Sequence, residues 1–200
     1  MNNSPKKIVF ASHNRGKYKE MSEIFKPHNI ELIFLGDHSS TDIEETGLSF
    51  HENALIKARK ASELTSLPAL GDDSGLCVSA LHNQPGIYSA RYNGVESSFQ
   101  SKMIKLLEEL KDEKNRKAFF VCVLAYVENA TDPIPKFFEG FWHGFIADEM
   151  KGTHGFGYDP IFFDPNQNMC VGEMDSSLKL QLSHRAKATN LFIQQWQLNT

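Results

Sequence analysis

The chain alternates short apolar runs with amphipathic stretches of helical period. Lys7 to Ala11 (KIVFA) has the character of a buried strand, and Tyr18, Met21, Ile24 and Phe25 then recur on one helical face. Ile30 to Leu35 predicts a second strand. Ser49 with Glu52 three residues on has the form of a capping box. It opens a helix to about Leu64, with Ala54, Leu55, Ala58 and Ala61 on its buried side. Pro68 to Leu70 and Cys77 to Ala80 predict strands on either side of an acidic loop, and Gln84-Pro85-Gly86 turns the chain. Phe99 to Leu110 predicts a helix with Met103, Ile104, Leu107 and Leu110 inward. Ala118 to Glu128 and Lys136 to Ala147 predict long strands, joined through Thr131-Asp132-Pro133 and paired as an antiparallel hairpin. A final helical segment ends with Leu191, Phe192 and Trp196 packed on the sheet. This pattern is α/β with a mixed sheet. No repeat, low-complexity segment or linker interrupts it, so residues 1–200 read as a single domain.

Composition narrows the function classes. Two hundred residues suffice for one sizeable core, or two lobes sharing a sheet. A formal net charge of −4 argues against a binder of nucleic-acid backbones, which normally carries a basic surplus. Cys77, Cys122 and Cys170 are odd in number, widely spaced and set among apolar residues. They read as reduced core thiols of a cytoplasmic protein, not as a disulfide framework or zinc site. The start, MNNSPKK, has no apolar stretch behind its lysines and predicts no secretory signal. The longest apolar run, Ala118 to Val127, is far shorter than the roughly 18 residues of a membrane span, so no membrane association is expected.

Chemistry concentrates in four segments. In Leu70-Gly71-Asp72-Asp73-Ser74-Gly75 two adjacent carboxylates repel unless a cation or proton relieves them, and with the neighbouring hydroxyl they suit a hard ion such as Mg²⁺. The plainer alternative is a solvated Asp-rich turn. Ser12-His13-Asn14-Arg15-Gly16-Lys17 follows the first strand and precedes the first helix, a geometry that aims backbone N–H groups and a helix dipole at an anion. The spacing is not that of a P-loop, and an ordinary turn between strand and helix is the alternative. The run from Gly152 to Pro160 interleaves glycines with Phe156 and Tyr158. It offers either close backbone approach and a face for stacking a base, or an edge-covering hairpin loop. On the last helical segment Lys179, His184 and Arg185 form a donor-only cluster suited to a carbonyl-bearing base edge or a phosphate, unless they are merely a solvated face.

Taken together, the chain resembles the Ham1/RdgB-like family of inosine/xanthosine triphosphate pyrophosphatases. The resemblance rests on SHNRGK (12–17), EETGLSFHENALIKAR (44–59), DDSGL (72–76), PGIYSARY (85–92), GFGYDPIFF (155–163) and SHRAKA (183–188), in that order. Each alone is weak; their order and spacing together are specific. His13 and His154 stand where glycine or another small residue is common, and Asp175 to Leu178 lacks the acidic pair usual before the lysine equated with Lys179.

The resemblance implies an elongated mixed β-sheet flanked by helices, two lobes with a cleft between them, and a homodimer. The substrate would be ITP, dITP or XTP, attacked by water at the α-phosphorus with loss of pyrophosphate. Lys17 and the amides of residues 12–16 (Ser12, His13, Asn14, Arg15, Gly16) would hold phosphates, and Mg²⁺ would sit between Glu44, Asp73 and phosphate oxygens, with Glu45 ranked below Glu44. Asp73 would accept a proton and Ser74 would touch substrate. Phe156, Gly157, Tyr158 and Asp159 would line the base pocket, closed by Lys179, His184 and Arg185. Lys57 is a possible phosphate contact, set against a solvated lysine. Two other readings stand beside this one: a Maf-like pyrophosphatase for modified pyrimidine nucleotides, and a nucleotide-binding module without turnover. The carboxylates at Glu44, Asp72 and Asp73 argue against the second.

Overall fold

The computed structural model describes residues 6–39 and 43–198; the MNNSP start, read above for a leader, lies outside the described residues. In chain order the elements are β1 (Lys6–Ala11), α1 (Arg15–Phe25), β2 (Ile30–Phe34), α2 (Phe50–Thr65), β3 (Ala69–Val78), β4 (Gln84–Pro85), α3 (Phe99–Glu109), β5 (Lys117–Val127), β6 (Lys136–Ile146), β7 (Phe162–Asp164), β8 (Met169–Cys170), α4 (Ser176–Leu182) and α5 (His184–Leu198). The strands form one eight-stranded sheet in the order β2-β1-β3-β5-β6-β7-β8, with β4 on β3. β1 is parallel to both β2 and β3, while β4, β7 and β8 pair antiparallel, so the sheet is mixed.

The chain forms two compact units. The first comprises Met1–Asp73, Cys122–Gly140 and His184–Thr200; the second, Ser74–Val121 and Phe141–Ser183. The core of the first gathers Phe10, Met21, Phe25, Leu70, Leu124 and Phe192, drawn from β1, α1, β3, β5 and α5. The core of the second gathers Leu76, Leu106, Phe120, Trp142, Ile161 and Phe162. Fully burying each such side chain contributes about 1.5–3 kcal/mol, which fixes the elements that carry the polar groups described below.

Several elements differ from the sequence reading, each for a physical reason. The acidic segment is not a loop: Gly71 to Gly75 lies inside the ten-residue strand β3. Gly and Asp are poor strand formers, but the cations facing these carboxylates, described below, override that preference. The strand predicted to end at Leu35 gives way at that residue to a 3₁₀ turn, Leu35–Asp37. On α3 the buried face runs through Lys102, Met103 and Leu106, which leaves Ile104 43% exposed although it was expected inward. Leu191 is 45% exposed, whereas Phe192 is buried and Trp196 packs on the first core. The final helical segment is two helices, because Ser183 is extended (φ −65°, ψ 153°) and ends α4 before α5 begins.

Candidate active site

In the first unit the site is built on β3. Successive strand residues face opposite sides of a sheet, so Leu70 and Asp72 share one face while Gly71 and Asp73 share the other. Gly71 decides what covers the second face. A Cβ there would lie 2.1 Å from the Ala54 carbonyl oxygen, so only glycine lets α2 lie directly on the strand. That contact brings the polar edge of α2 to Asp73. Lys57 Nζ donates to Asp73 Oδ1 at 2.8 Å and to Glu45 Oε1 at 2.8 Å, and Asn53 Nδ2 lies 3.4 Å from Asp73 Oδ2. Lys57 is 8% exposed, a buried cation and not the solvated lysine set against the phosphate contact. Burial disfavours its charge, yet Asp73 and Glu45 raise its pKa above the ordinary lysine value. Burial raises the Asp73 carboxyl above the usual range, against the opposing pull of Lys57 and Lys17.

On the other face Asp72 is 1% exposed and bound by two cations, Lys17 Nζ at 2.5 Å and Arg185 Nε at 2.8 Å. Burial alone would raise its pKa, but Lys17 and Arg185 hold it well below the ordinary value. Arg185 Nη1 also donates to Glu20 Oε2. A fully buried arginine held by two carboxylates stays charged, and its pKa is pushed up although burial opposes the charge. The Cys122 thiol donates to Asp72 Oδ2 at 3.4 Å. Cys77, Cys122 and Cys170 are all buried free thiols, as the sequence predicts.

The Ser12–Asn14 loop abuts this pair, since β1 and β3 are parallel with Ala11 opposite Gly71. Helix α1 starts earlier than expected: Asn14 is its N-cap, accepting from the Lys17 amide at 3.1 Å, so Arg15, Gly16 and Lys17 form its first turn. An eleven-residue helix beginning here directs its dipole at the loop. The Ser12 and Asn14 amides are already engaged, by the Phe10 carbonyl and by Ser12 Oγ. His13 meets the Ser39 carbonyl at 2.9 Å, and Arg15 pairs with Asp37 at 2.6 Å. Glu44 is exposed, whereas Glu45 is the glutamate drawn onto Lys57. His184, buried, opens α5 beside Arg185.

The second unit holds a separate constellation. Asp159 Oδ2 accepts from the Phe156 amide at 2.8 Å and from Lys179 Nζ at 2.5 Å. Lys179 Nζ also stands 4.3 Å from the centre of the Phe156 ring, a cation–π geometry. Gly155 (φ +77°) makes room for this, because a Cβ there would fall 2.0 Å from Asp159 Oδ2. Gly157 also has positive φ, and the Tyr158 hydroxyl donates to the Ser89 carbonyl at 2.9 Å, which anchors the loop. Ser74, the first residue of this unit, continues β3 after Asp73.

The structure therefore joins Lys17 with Arg185, and Phe156 and Asp159 with Lys179. It adds Asp72, Lys57, Glu45, Asn53 and Glu20 as partners. The sequence reading sets Lys57 on the polar face of α2 with Arg59 and Lys60, whereas the structure buries it; its spacing, three residues after Ala54 and four before Ala61, is the signal that marks the buried face. Glu20 carries no such signal. Among the described residues no group of three or more His, Cys, Asp or Glu side chains is placed to hold a metal, and no helix is long and apolar enough to cross a membrane.

The model of the Ham1 family matches residues 8–195. A dITP/XTP pyrophosphatase of Pseudomonas syringae pv. tomato is 50% identical over 94% of this chain and 95% of its own, and one from Coxiella burnetii is 46% identical over 90% and 92%. Among solved structures, a HAM1 protein from Coxiella burnetii aligns with a TM-score of 0.87 at 44% identity, covering 94% of this chain and 96% of that one. The Ham1 protein of Staphylococcus aureus aligns at 0.86 with 39% identity, covering 98% and 100%. With a family model spanning nearly its whole length and relatives this similar, the chain belongs to the Ham1 family.

Proposed function

We propose that this protein hydrolyses deaminated purine nucleoside triphosphates (ITP, dITP and XTP) to the monophosphate and pyrophosphate. The observation that carries the proposal is the buried Asp73 carboxylate beside the Lys57 ammonium, in a chain whose curated relatives are dITP/XTP pyrophosphatases.

The roles follow from the chemistry of each group. Lys17, in the first turn of α1, binds phosphate oxygens together with the His13, Arg15 and Gly16 amides and the helix dipole. Asp73 takes the proton from the attacking water at its carboxylate, with Lys57 fixing the orientation of that carboxylate. Ser74 contacts substrate next to it. Glu44 and Asp73, whose carboxylates suit a hard divalent ion, would hold Mg²⁺. Bound there, it would supply charge neutralisation on the phosphates. Recognition of the base is assigned to Phe156, Gly157, Tyr158 and Asp159 with Lys179, and to His184 and Arg185 as further donors. Hypoxanthine and xanthine present an acceptor at O6 where adenine presents a donor, so a donor-lined edge leaves adenine unpaired.

A pyrophosphate-release screen over ITP, dITP, XTP, ATP, GTP, dUTP and TTP tests the reading. Preference for the first three supports it; preference for dUTP or TTP favours the Maf-like alternative, and no turnover the binding module. We read the active species as a homodimer, as the family resemblance implies, and as cytoplasmic, in keeping with its three reduced core thiols. A monomer mass in sedimentation at micromolar concentration would remove the dimer.

A further inference from the structure

The first unit also carries a cavity of about 400 Å³ that none of the candidate site residues above lines. Its volume is within the range of small-molecule sites. The floor is aromatic: Tyr126 and Phe138 are 2% and 6% exposed, and Trp196 meets Tyr126 edge-on at 5.7 Å between ring centres. The rim is cationic. Lys6 Nζ stands 5.0 Å from the Trp196 ring centre and Lys136 Nζ 5.9 Å from that of Tyr126, with Lys7 beside them. Lys7 is paired with Glu31 at 3.7 Å, so Lys6 and Lys136 face Glu128, a local surplus of one positive charge on a chain of net charge −4.

Two further features distinguish this cavity from ordinary packing. Tyr126 Oη is buried with the Glu128 carboxylate as its neighbouring acceptor, and burial first, then Glu128, raises its pKa. It therefore remains an O–H donor at neutral pH. The cavity also lies at the opposite end of β1 from the phosphate loop. Lys6 opens that strand and Ser12 follows its last residue, so at about 3.3 Å per residue the two ends are roughly 16 Å apart.

We propose that this cavity is a second ligand site, for a small flat aromatic molecule bearing a carboxylate or phosphate-ester anion. The ring stacks on Trp196 with its edge toward Tyr126, the anion meets Lys6 and Lys136, and Tyr126 Oη with Glu128 pairs with ring heteroatoms. Neither half of such a ligand suffices: a neutral ring leaves the lysines without an anion, and a bare anion leaves the aromatic floor uncovered.

The chain has two tryptophans, so two indole N–H signals report on it in a ¹H–¹⁵N correlation spectrum. Trp142, bonded to Asp164 at 2.8 Å in the other unit, serves as the internal reference. The probes are indole-3-acetate, adenosine 5′-monophosphate, uncharged adenosine and inorganic phosphate. We expect the Trp196 signal to move saturably with at least one of the two aromatic anions, at a dissociation constant below about 1 mM, with adenosine and phosphate about tenfold weaker or worse. Whichever anion binds tighter identifies the source as a carboxylate or a phosphate ester. Lys136→Gln and Lys6→Gln should each weaken binding about fivefold while leaving nucleotide hydrolysis unchanged. No saturable Trp196 shift with either anion overturns the proposal. So does equal binding of adenosine, or unaltered affinity in both variants when their spectra are otherwise native.

Discussion

Asp72 and Asp73 are neighbours in sequence and answer to different cations: Asp72 is held by Lys17 and Arg185, Asp73 by Lys57. The strand pleat separates them to opposite faces of β3, and with that separation two carboxylates that would repel in a loop each gain a counter-ion. One becomes a fixed element of a buried ion network. The other faces a lysine shared with Glu45, within reach of chemistry.

From this division Asp73→Asn should abolish turnover while the fold survives, because asparagine keeps the shape and loses both the charge and the proton acceptor. A fall in kcat of about a thousandfold is expected, with nucleotide affinity altered far less. Near-normal ITP hydrolysis by a well-folded Asp73→Asn protein would remove Asp73 from the mechanism.

Asp72→Asn should act on stability. Removing one member of a buried ion network leaves Lys17 and Arg185 short of a counter-charge and costs about 3 kcal/mol at neutral pH. The pKa of Asp72 is depressed in the folded state, so its contribution is fully present above the unfolded value near 3.8 and is lost as pH falls through the lower folded value. Urea unfolding of wild type and variant should therefore differ most near neutrality and converge below about pH 4. A difference that grows on acidification would contradict the assignment.

Metal dependence separates the two glutamates. Activity should vanish with EDTA and return with Mg²⁺, and Glu44→Gln should raise the Mg²⁺ needed for half-maximal rate about tenfold. Glu45→Gln should instead loosen Lys57, lowering kcat with little change in that metal requirement. The opposite outcome would exchange their roles.

Arg185 and His184 are distinguishable by two readouts. Arg185→Ala strands the Asp72 and Glu20 carboxylates and should cost about 3–5 kcal/mol of unfolding free energy. If both side chains also read the base, each alanine variant should narrow the kcat/KM ratio of ITP over ATP several-fold, a lost hydrogen bond being worth about 1 kcal/mol. Should both rates fall in parallel, these residues support the fold or the phosphates, and selection rests on residues 155–159.

Much of this was legible in the sequence. The period of α2 and the Ser49 cap emerge where expected, with the Glu52 amide bonded to Ser49 Oγ at 3.2 Å. The Glu52 carboxylate turns to the Leu48 amide and the Ser49 hydroxyl instead, so the reciprocal half of the box differs. The long apolar run became β5, next to β6 in the sheet. What composition hid was β3: a Gly-Asp-Asp-Ser-Gly string reads as a turn until the cations on its two faces are known, and those come from the preceding helix α2 and, far away in sequence, from α1 and α5. The break at Ser183 was hidden for a related reason. The residues on both sides have helical propensity, and only tertiary structure separates Lys179, paired with Asp159, from Arg185, paired with Asp72.

The central claim is the position of cleavage. Hydrolysis of ITP in ¹⁸O-labelled water, with the products resolved by mass spectrometry, tests it directly. Attack at the α-phosphorus predicts inosine monophosphate carrying one heavy oxygen, together with unlabelled pyrophosphate, at a rate exceeding that of ATP by about a hundredfold. Inosine diphosphate with labelled inorganic phosphate, or equal turnover of ATP, would contradict the account.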